Sequence, residues 1–183
     1  MPEKKARPKK PSSRRVLLVV DMLNGFLDRK GALFCGEPAR KVIPFVRKRI
    51  REYRRDGRPV IFVCDSHAKN DPEFHKWPAH CVRGTWEAEI IPELPTANSR
   101  VIHKTSLSCF YGTQLQRKLR SIAPRVVEVV GVCTNICILL AAAELSARDY
   151  RVRVPSKGVA TFDRRAHRFA LEQMKSAFGA EVV

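Results

Sequence analysis

Short apolar runs alternate with amphipathic stretches along this chain, and this alternation limits the fold more than any other feature. Residues 16–20 are continuously apolar and residues 126–132 are nearly so, which is typical of strands buried on both faces of a parallel sheet. Residues 42–53 instead carry apolar side chains at helical spacing, and Asp56-Gly57 ends that stripe. The pattern predicts an α/β domain with a mostly parallel sheet.

The predicted elements follow one another without internal repeats. Strands are predicted at residues 16–20, 60–64, 101–103, 126–132, 152–154 and 181–183, with helices at 41–55, 114–122, 135–148 and 164–178. Between the second and third strands, four prolines mark a long, loop-rich insertion: Pro72, Pro78, Pro92 and Pro95. Insertions of this length often carry function, so this one is a candidate part of a site.

The charge of the chain is unusual, because 183 residues carry a formal net charge of +17. Residues 1–15 contain seven Lys or Arg and one Glu, so they hold +6 of that charge and leave +11 for residues 16–183. This segment has almost no apolar side chains, which predicts a disordered basic tail ahead of one folded domain at 16–183. The chain lacks the aromatic interleaving and zinc-finger spacing of specific nucleic-acid recognition. We therefore expect no specific nucleic-acid partner. Because of the high positive charge, a basic protein that binds nucleic acid or another partner remains the non-enzyme alternative.

The apolar runs and the cysteines indicate the cellular compartment of the protein. No run reaches membrane-spanning length, and the N-terminus lacks the apolar segment of a secretory signal. The six cysteines form no Cys-x-x-Cys pair, so we interpret them as reduced thiols. We expect a cytoplasmic protein that has no membrane partner.

Reactive side chains follow four of the predicted strands. Asp21 follows the first strand, Asp65 the second, Lys104 the third and Cys137 the fourth. A single Asp after a strand is usually a turn residue, but the carboxyl ends of parallel strands meet at one edge of the sheet. We expect these side chains to form one site, in which Cys137 and Asp21 are a nucleophile and its base.

Cys137 is the stronger of two candidate nucleophiles. It is predicted in the first turn of the helix after strand 126–132, where the helix dipole lowers the pKa of a thiol. Cys133 competes for the role but lies in the preceding turn. The alternative interpretation of Cys137 is a small buried thiol of the core.

Three sequence blocks carry a family resemblance. Residues 20–26 (Val-Asp-Met-Leu-Asn-Gly-Phe), 103–110 (His-Lys-Thr-Ser-Leu-Ser-Cys-Phe) and 131–137 (Gly-Val-Cys-Thr-Asn-Ile-Cys) resemble the signature blocks of the isochorismatase-like cysteine hydrolases, which include the nicotinamidases. The blocks stand in the family's order. The resemblance implies a Rossmann-like, three-layer α/β/α fold with a six-stranded, mostly parallel sheet.

The resemblance also implies a catalytic apparatus. Asp21, Lys104 and Cys137 would form the catalytic triad, and the thiolate would attack an amide carbonyl to form a thioester. A cis peptide bond would precede Cys133. The backbone amides of Cys133 and Cys137 would then form the oxyanion hole.

A metal site is implied by a longer match. Residues 65–67 (Asp-Ser-His) and 80–85 (His-Cys-Val-Arg-Gly-Thr) resemble a nicotinamidase pattern in which Asp65, His67 and His80 would bind a divalent metal. Two imidazoles and one carboxylate suit Zn, with Fe or Mn as alternatives, and leave positions open for water or a pyridine nitrogen. His75 is a weaker fourth candidate.

The nicotinamidase branch further implies a substrate. Phe26 and Trp77 match aromatic residues that sandwich the nicotinamide ring in that branch, although both could be core packing. We expect a nicotinamidase-like amidohydrolase that hydrolyses a small amide to an acid and ammonia. The alternative is a related hydrolase acting on another amide, a ureido compound or a vinyl ether. Homo-oligomers are frequent in the family, and the sequence leaves that state open.

Overall fold

The computed structural model describes residues 15–183. The predicted disordered tail therefore lies outside the described residues, apart from Arg15, which begins the first strand. The strands are β1 (Arg15–Val20), β2 (Val60–Asp65), β3 (Arg100–Lys104), β4 (Val126–Val132), β5 (Arg151–Val154), β6 (Val159–Ala160) and β7 (Glu181–Val182). The helices are α1 (Asn24–Leu27), α2 (Gly36–Lys41), α3 (Ile43–Arg55), α4 (Leu115–Ile122), α5 (Leu139–Ser146) and α6 (Arg164–Ser176).

The seven strands form one sheet, in which every described pairing is parallel. The strand order is β3-β2-β1-β4-β5-β7, and the short β6 pairs with β4. The chain starts in the middle of this order, adds β2 and β3 on one side, and then returns to add β4 beside β1. A crevice forms at the carboxyl ends of neighbouring strands where the winding direction reverses, here between β1 and β4.

Helices cover both faces of the sheet, which confirms the predicted three-layer α/β/α arrangement. Successive β1 side chains point to opposite faces: Leu17 and Val19 pack in the α3 layer, whereas Val16 and Leu18 pack in the layer of α4, α5 and α6. All four side chains are fully buried. This two-sided burial explains why the strand is continuously apolar.

The elements differ from the predicted ones at four places. The pattern missed β6, because a two-residue strand has no readable period. It also missed the short helices α1 and α2, since the predicted helix 41–55 corresponds to α3 alone. The predicted helix 135–148 begins with a π-helical turn (Thr134–Ile138) before α5.

Within residues 15–183, no helix is both long enough and apolar enough to cross a membrane.

Candidate active site

The carboxyl ends of β1, β2 and β3 bring three charged side chains together. Asp65 and Lys104 end β2 and β3 as direct neighbours in the parallel register. Asp21 follows β1 with a positive φ of 52°, and its backbone N–H donates to Val63 O of β2 (2.9 Å). The Asp65 backbone N–H in turn donates to Asp21 Oδ1 (3.1 Å). The sheet therefore holds both carboxylates on one edge, and all three side chains are buried.

The turn after β4 delivers the fourth side chain. The peptide bond between Val132 and Cys133 is cis, as the resemblance implied, and the π-helical turn that follows contains Cys137. Gly131 has a φ of +125°, and a Cβ at that position would collide with the Val20 carbonyl of β1. Only glycine allows β4 to approach β1 so closely beside the turn.

The Lys104 ammonium group is the centre of the cluster. Lys104 Nζ lies 2.9 Å from Asp21 Oδ2, donates to Asp65 Oδ1 (2.5 Å) and lies 3.7 Å from Cys137 Sγ. It also donates to the Ser106 carbonyl (3.1 Å). The structure therefore brings together Asp21, Lys104 and Cys137. It also adds a contact that the sequence did not indicate, because Asp65 shares the same ammonium group.

The predicted lowering of the Cys137 pKa is wrong. Burial raises the pKa of the Cys137 thiol well above its usual value, and the nearby ammonium of Lys104 only partly opposes this effect. The sequence argument counted the helix end and could not count the loss of solvent. The resting residue is therefore a neutral thiol that needs a base.

Asp21 has the protonation properties of such a base. Burial and the charge of Asp65 raise the pKa of Asp21, Lys104 opposes both, and the resulting pKa is about 6. Burial alone would also raise the pKa of Asp65, but the ammonium of Lys104 and the two nearby imidazoles, His67 and His80, lower it well below its usual range. The Lys104 pKa lies well above its usual value, because the negative groups around it outweigh the burial of its ammonium. The ammonium of Lys104 thus stays charged and faces two carboxylates. Asp65 stays ionised, whereas Asp21 can exchange a proton.

The three predicted metal ligands also lie together. Asp65, His67 and His80 are buried, and each offers a ligand atom within 4.8 Å of the other two. Asp65 Oδ1 lies 3.7 Å from His67 Nε2, and Asp65 Oδ2 lies 3.8 Å from His80 Nε2. His75 is exposed and lies outside this group.

The free nitrogen atoms of this group fit a metal ion. His80 Nδ1 lies 2.7 Å from the Pro78 carbonyl, which can only accept a hydrogen bond, so Nδ1 carries the proton and Nε2 has a free lone pair. His67 Nε2 is buried and has no hydrogen-bond partner among the described residues, and Nδ1 of that ring faces Asp71 Oδ2 (3.1 Å). A carboxylate or carbonyl behind each ring is the usual arrangement around a ligating histidine. The donor set suits a divalent metal.

A cavity of about 270 Å³ joins the thiol to the candidate metal group. Its wall contains the predicted aromatic residues Phe26 and Trp77, together with Asp21, Asp65, His80, Cys133 and Cys137. Among residues 15–183, no Lys or Arg contributes to the lining, and a third carboxylate, that of Glu73, also lies there. The cavity therefore suits an uncharged or cationic molecule with an apolar ring.

Several lining residues were not found from the sequence. Cys35 and Leu33 lie in the loop between α1 and α2, Glu73 lies in the 3₁₀ helix Pro72–His75, and Phe162 lies between β6 and α6. None of them belongs to a motif or follows a strand directly. A residue that reaches a site from a loop leaves no periodic signal, so only its tertiary position reveals it.

Comparisons with known proteins agree with this geometry. The Isochorismatase domain family matches residues 15–183. The crystal structure of nicotinamidase PncA from Bacillus subtilis superposes with a TM-score of 0.88 at 31% identity, covering 93% of this chain and 99% of that one. The pyrazinamidase of Pyrococcus horikoshii in complex with zinc gives 0.87 at 30% identity (93% and 98%). The N-carbamoylsarcosine amidase of Thermoplasma acidophilum gives 0.82 at 35% identity (92% and 94%).

Proposed function

The chain belongs to the isochorismatase family, and from that premise we propose that it is a cysteine amidohydrolase. It converts a small amide of the nicotinamide type into the acid and ammonia, through a thioester on Cys137. The observation that carries the proposal is the contact of Lys104 with Asp21 (2.9 Å) and with Cys137 (3.7 Å) at the wall of one cavity.

The first half of the reaction forms the thioester. Asp21 accepts the thiol proton as Sγ of Cys137 attacks the amide carbon. The total charge of Asp21 and Cys137 therefore stays the same in the buried site. The carbonyl oxygen becomes an oxyanion that accepts hydrogen bonds from the backbone amides of Cys133 and Cys137. Asp21 then returns its proton to the amide nitrogen, the C–N bond breaks, and ammonia leaves.

The second half releases the acid. A water molecule attacks the thioester carbon while Asp21 accepts one of its protons, and the C–S bond breaks as that proton returns to the sulfur. A base that serves twice needs a pKa near the working pH, and the pKa of Asp21, about 6, meets that need. Lys104 limits the rise of that pKa and keeps the carboxylate beside the thiol.

Asp65, His67 and His80 would hold the divalent metal, for which Zn is our first choice and Fe or Mn are alternatives. When bound, such an ion offers a Lewis-acidic position to a ring nitrogen of the substrate or to water. Asp65 would then connect the metal group with the triad, because one of its oxygens already accepts from Lys104. His80 would orient its Nε2 through the hydrogen bond of its Nδ1 to Pro78.

The charge of the cavity narrows the substrate class. N-carbamoylsarcosine carries a carboxylate, and among residues 15–183 the lining offers no Lys or Arg to pair with it. The charges of Asp21 and Asp65 are already shared with Lys104. Glu73 is therefore, among the described residues, the unpaired carboxylate that an anionic substrate would face. This lack of a cationic side chain disfavours anionic substrates, whereas a neutral aromatic amide packs between Phe26 and Trp77. This argument favours a nicotinamide-type amide over the other substrates that the family suggests.

Ammonia release across a panel of amides tests the proposal. We expect turnover of nicotinamide and pyrazinamide, weaker turnover of benzamide, which lacks a ring nitrogen, and none of N-carbamoylsarcosine. A chelator should lower the rate with nicotinamide more than the rate with benzamide. The Cys137→Ala variant is the negative control, because it lacks the proposed nucleophile. Turnover of the anionic substrates alone would contradict the substrate class, and ammonia release that survives in Cys137→Ala would contradict the mechanism.

A further inference from the structure

Two cysteines that the proposed reaction does not use as nucleophiles lie in contact beside it. Cys35 Sγ and Cys133 Sγ are 3.0 Å apart, although 98 residues separate them in the chain. Both side chains are almost fully buried, and both line the cavity that also contains Cys137. The pair is therefore shielded from bulk solvent but open to a small molecule that enters the cavity.

The two thiols have unequal surroundings. Cys133 receives a hydrogen bond from Cys35 that lowers its pKa, burial opposes this, and the Thr161 hydroxyl adds a second lowering contact. The same contact with Cys133 raises the pKa of Cys35, and burial raises it further. Cys133 is thus the thiol that ionises first, and Cys35 is the protonated neighbour. A reactive thiol next to a second thiol is the arrangement in which a disulfide forms.

We infer that Cys35 and Cys133 are a modification site, at which hydrogen peroxide converts the two thiols into a reversible disulfide in the wall of the cavity. The Cys133 thiolate attacks one peroxide oxygen, the O–O bond breaks, and the second oxygen leaves as water after taking a proton. The resulting sulfenic acid is attacked by Cys35 sulfur, the S–OH bond breaks, and the hydroxyl leaves as water with the Cys35 proton. Two thiols are oxidised by two electrons, and one peroxide is reduced to two water molecules.

The bond would change the site as well as the thiols. A disulfide has an S–S length of about 2.05 Å, so the two sulfur atoms must approach each other by about 1 Å. Cys133 lies in the turn that follows the cis peptide bond, and Cys35 belongs to the loop that walls the cavity at Leu33 and is tied to α1 through its backbone N–H bond to Phe26 O. A displacement of about 1 Å near reacting groups costs up to about 100-fold in rate. Loss of turnover on oxidation is thus expected, and this second step rests on the proposed function.

Mass spectrometry tests the modification site independently of activity. The reduced full chain is treated with one equivalent of hydrogen peroxide, remaining thiols are alkylated, and the digest is searched for linked peptides. We expect a Cys35–Cys133 peptide pair that is two hydrogens lighter than the two free peptides and that separates on adding dithiothreitol. The same linked pair should form in Cys137→Ser, since the nucleophile takes no part. It should be absent in Cys35→Ser and present in Cys64→Ser, which changes a buried cysteine outside the cavity.

Turnover is measured in the same samples of the wild-type chain. We expect at least a tenfold loss that follows the amount of linked peptide and is recovered with dithiothreitol. Failure to find the Cys35–Cys133 link, or a dominant link between Cys137 and either partner, overturns the modification site. A complete link with unchanged turnover overturns its effect on the reaction. If the reduced chain hydrolyses no amide, the proposed function fails, and the masses from Cys137→Ser still decide the site.

Discussion

Two buried charged clusters in this protein differ in how completely their charges are matched. Midway along β4, Glu128 is fully buried and accepts from Arg49 through both carboxylate oxygens (2.7 and 2.8 Å), while Tyr53 OH donates to one of them (3.3 Å). At the carboxyl edge, two carboxylates share the single ammonium group of Lys104. One cluster is satisfied, and the other carries an excess of negative charge.

We infer that the matched cluster around Glu128 serves the stability of the fold, whereas the unmatched cluster around Lys104 serves the reaction. A buried carboxylate with a bidentate guanidinium partner is held by two strong hydrogen bonds, and breaking the pair leaves an uncompensated charge. Within the part of the chain that the structure describes, Asp21 Oδ2 has an ion pair with Lys104 (2.9 Å) but no hydrogen bond of good geometry, and His67 Nε2 has no hydrogen-bond partner. Such groups cost folding free energy, and they are the ones that can accept a proton or hold a metal ion.

The largest effect is expected from replacing Cys137, and the neighbouring Cys133 provides the comparison. Cys137→Ala should lower turnover of a good amide substrate by about 10⁴-fold or more, because the thioester cannot form. Cys133→Ala keeps the backbone amide that the oxyanion would use, so it should retain readily measurable turnover. Steady-state ammonia release decides between them. Comparable losses in the two variants would contradict the assignment of the nucleophile.

Asp21→Asn breaks the active-site cluster directly. Turnover should fall by about 10⁴-fold, since the amide cannot accept the thiol proton. The free energy of unfolding should stay equal or increase: because burial raises the pKa of Asp21 to about 6, its ionised form is less favourable in the folded chain than in the unfolded one at neutral pH. Urea unfolding at pH 7 measures this. A marked loss of stability would mean that the charge of Asp21 holds the fold together.

Glu128→Gln is the matched change in the satisfied cluster. We expect a loss of about 3 kcal/mol in the free energy of unfolding, because Arg49 loses the carboxylate that accepts two of its three hydrogen bonds. Turnover per folded molecule should not change, since the lining of the active-site cavity does not include Glu128. The comparison fails if Glu128→Gln lowers turnover while leaving the unfolding curve in place.

His80→Ala tests the candidate metal site, and we expect an intermediate loss of metal affinity and turnover. The variant should bind a divalent metal about 10- to 100-fold more weakly and lose a similar factor in nicotinamide turnover. Elemental analysis of purified protein measures the metal content. His75→Ala is the control, because His75 is exposed outside the group, and it should keep the wild-type metal content. A metal-free, fully active wild type would remove the ion from the proposal.

Glu73→Gln should give the smallest effect. Glu73 lines the cavity and is only partly buried, so solvent weakens its repulsion of an anionic ligand. We expect the product acid to inhibit the variant about threefold more strongly, whereas the KM for the neutral amide should stay within about twofold. Inhibition constants for nicotinate and KM values for nicotinamide measure the two effects. Unchanged inhibition would show that Asp21 and Asp65 alone set the charge of the cavity.

The sequence by itself determined the order of the main elements, and it predicted the polar residues that the structure brings together at the carboxyl edge of the sheet. The apolar runs of β1 and β4 and the stripe of α3 are local patterns that persist in the structure, because burial on a sheet face or a helix face repeats at a fixed period. The polar residues after the strands were readable for the same reason: parallel strands end on one edge wherever they lie in the sheet. The family resemblance supplied the roles that these positions would have.

Only the tertiary structure decided how these residues act on one another. Lys104 serves two carboxylates, Cys35 contacts Cys133, and Arg49 binds Glu128, all through contacts between residues far apart in the chain. The pKa of Cys137 was mispredicted for the same reason, since the cost of placing a thiolate in a buried site depends on everything packed around it. Local sequence encodes period and chemistry, whereas desolvation and long-range charge pairing exist only once the chain has folded.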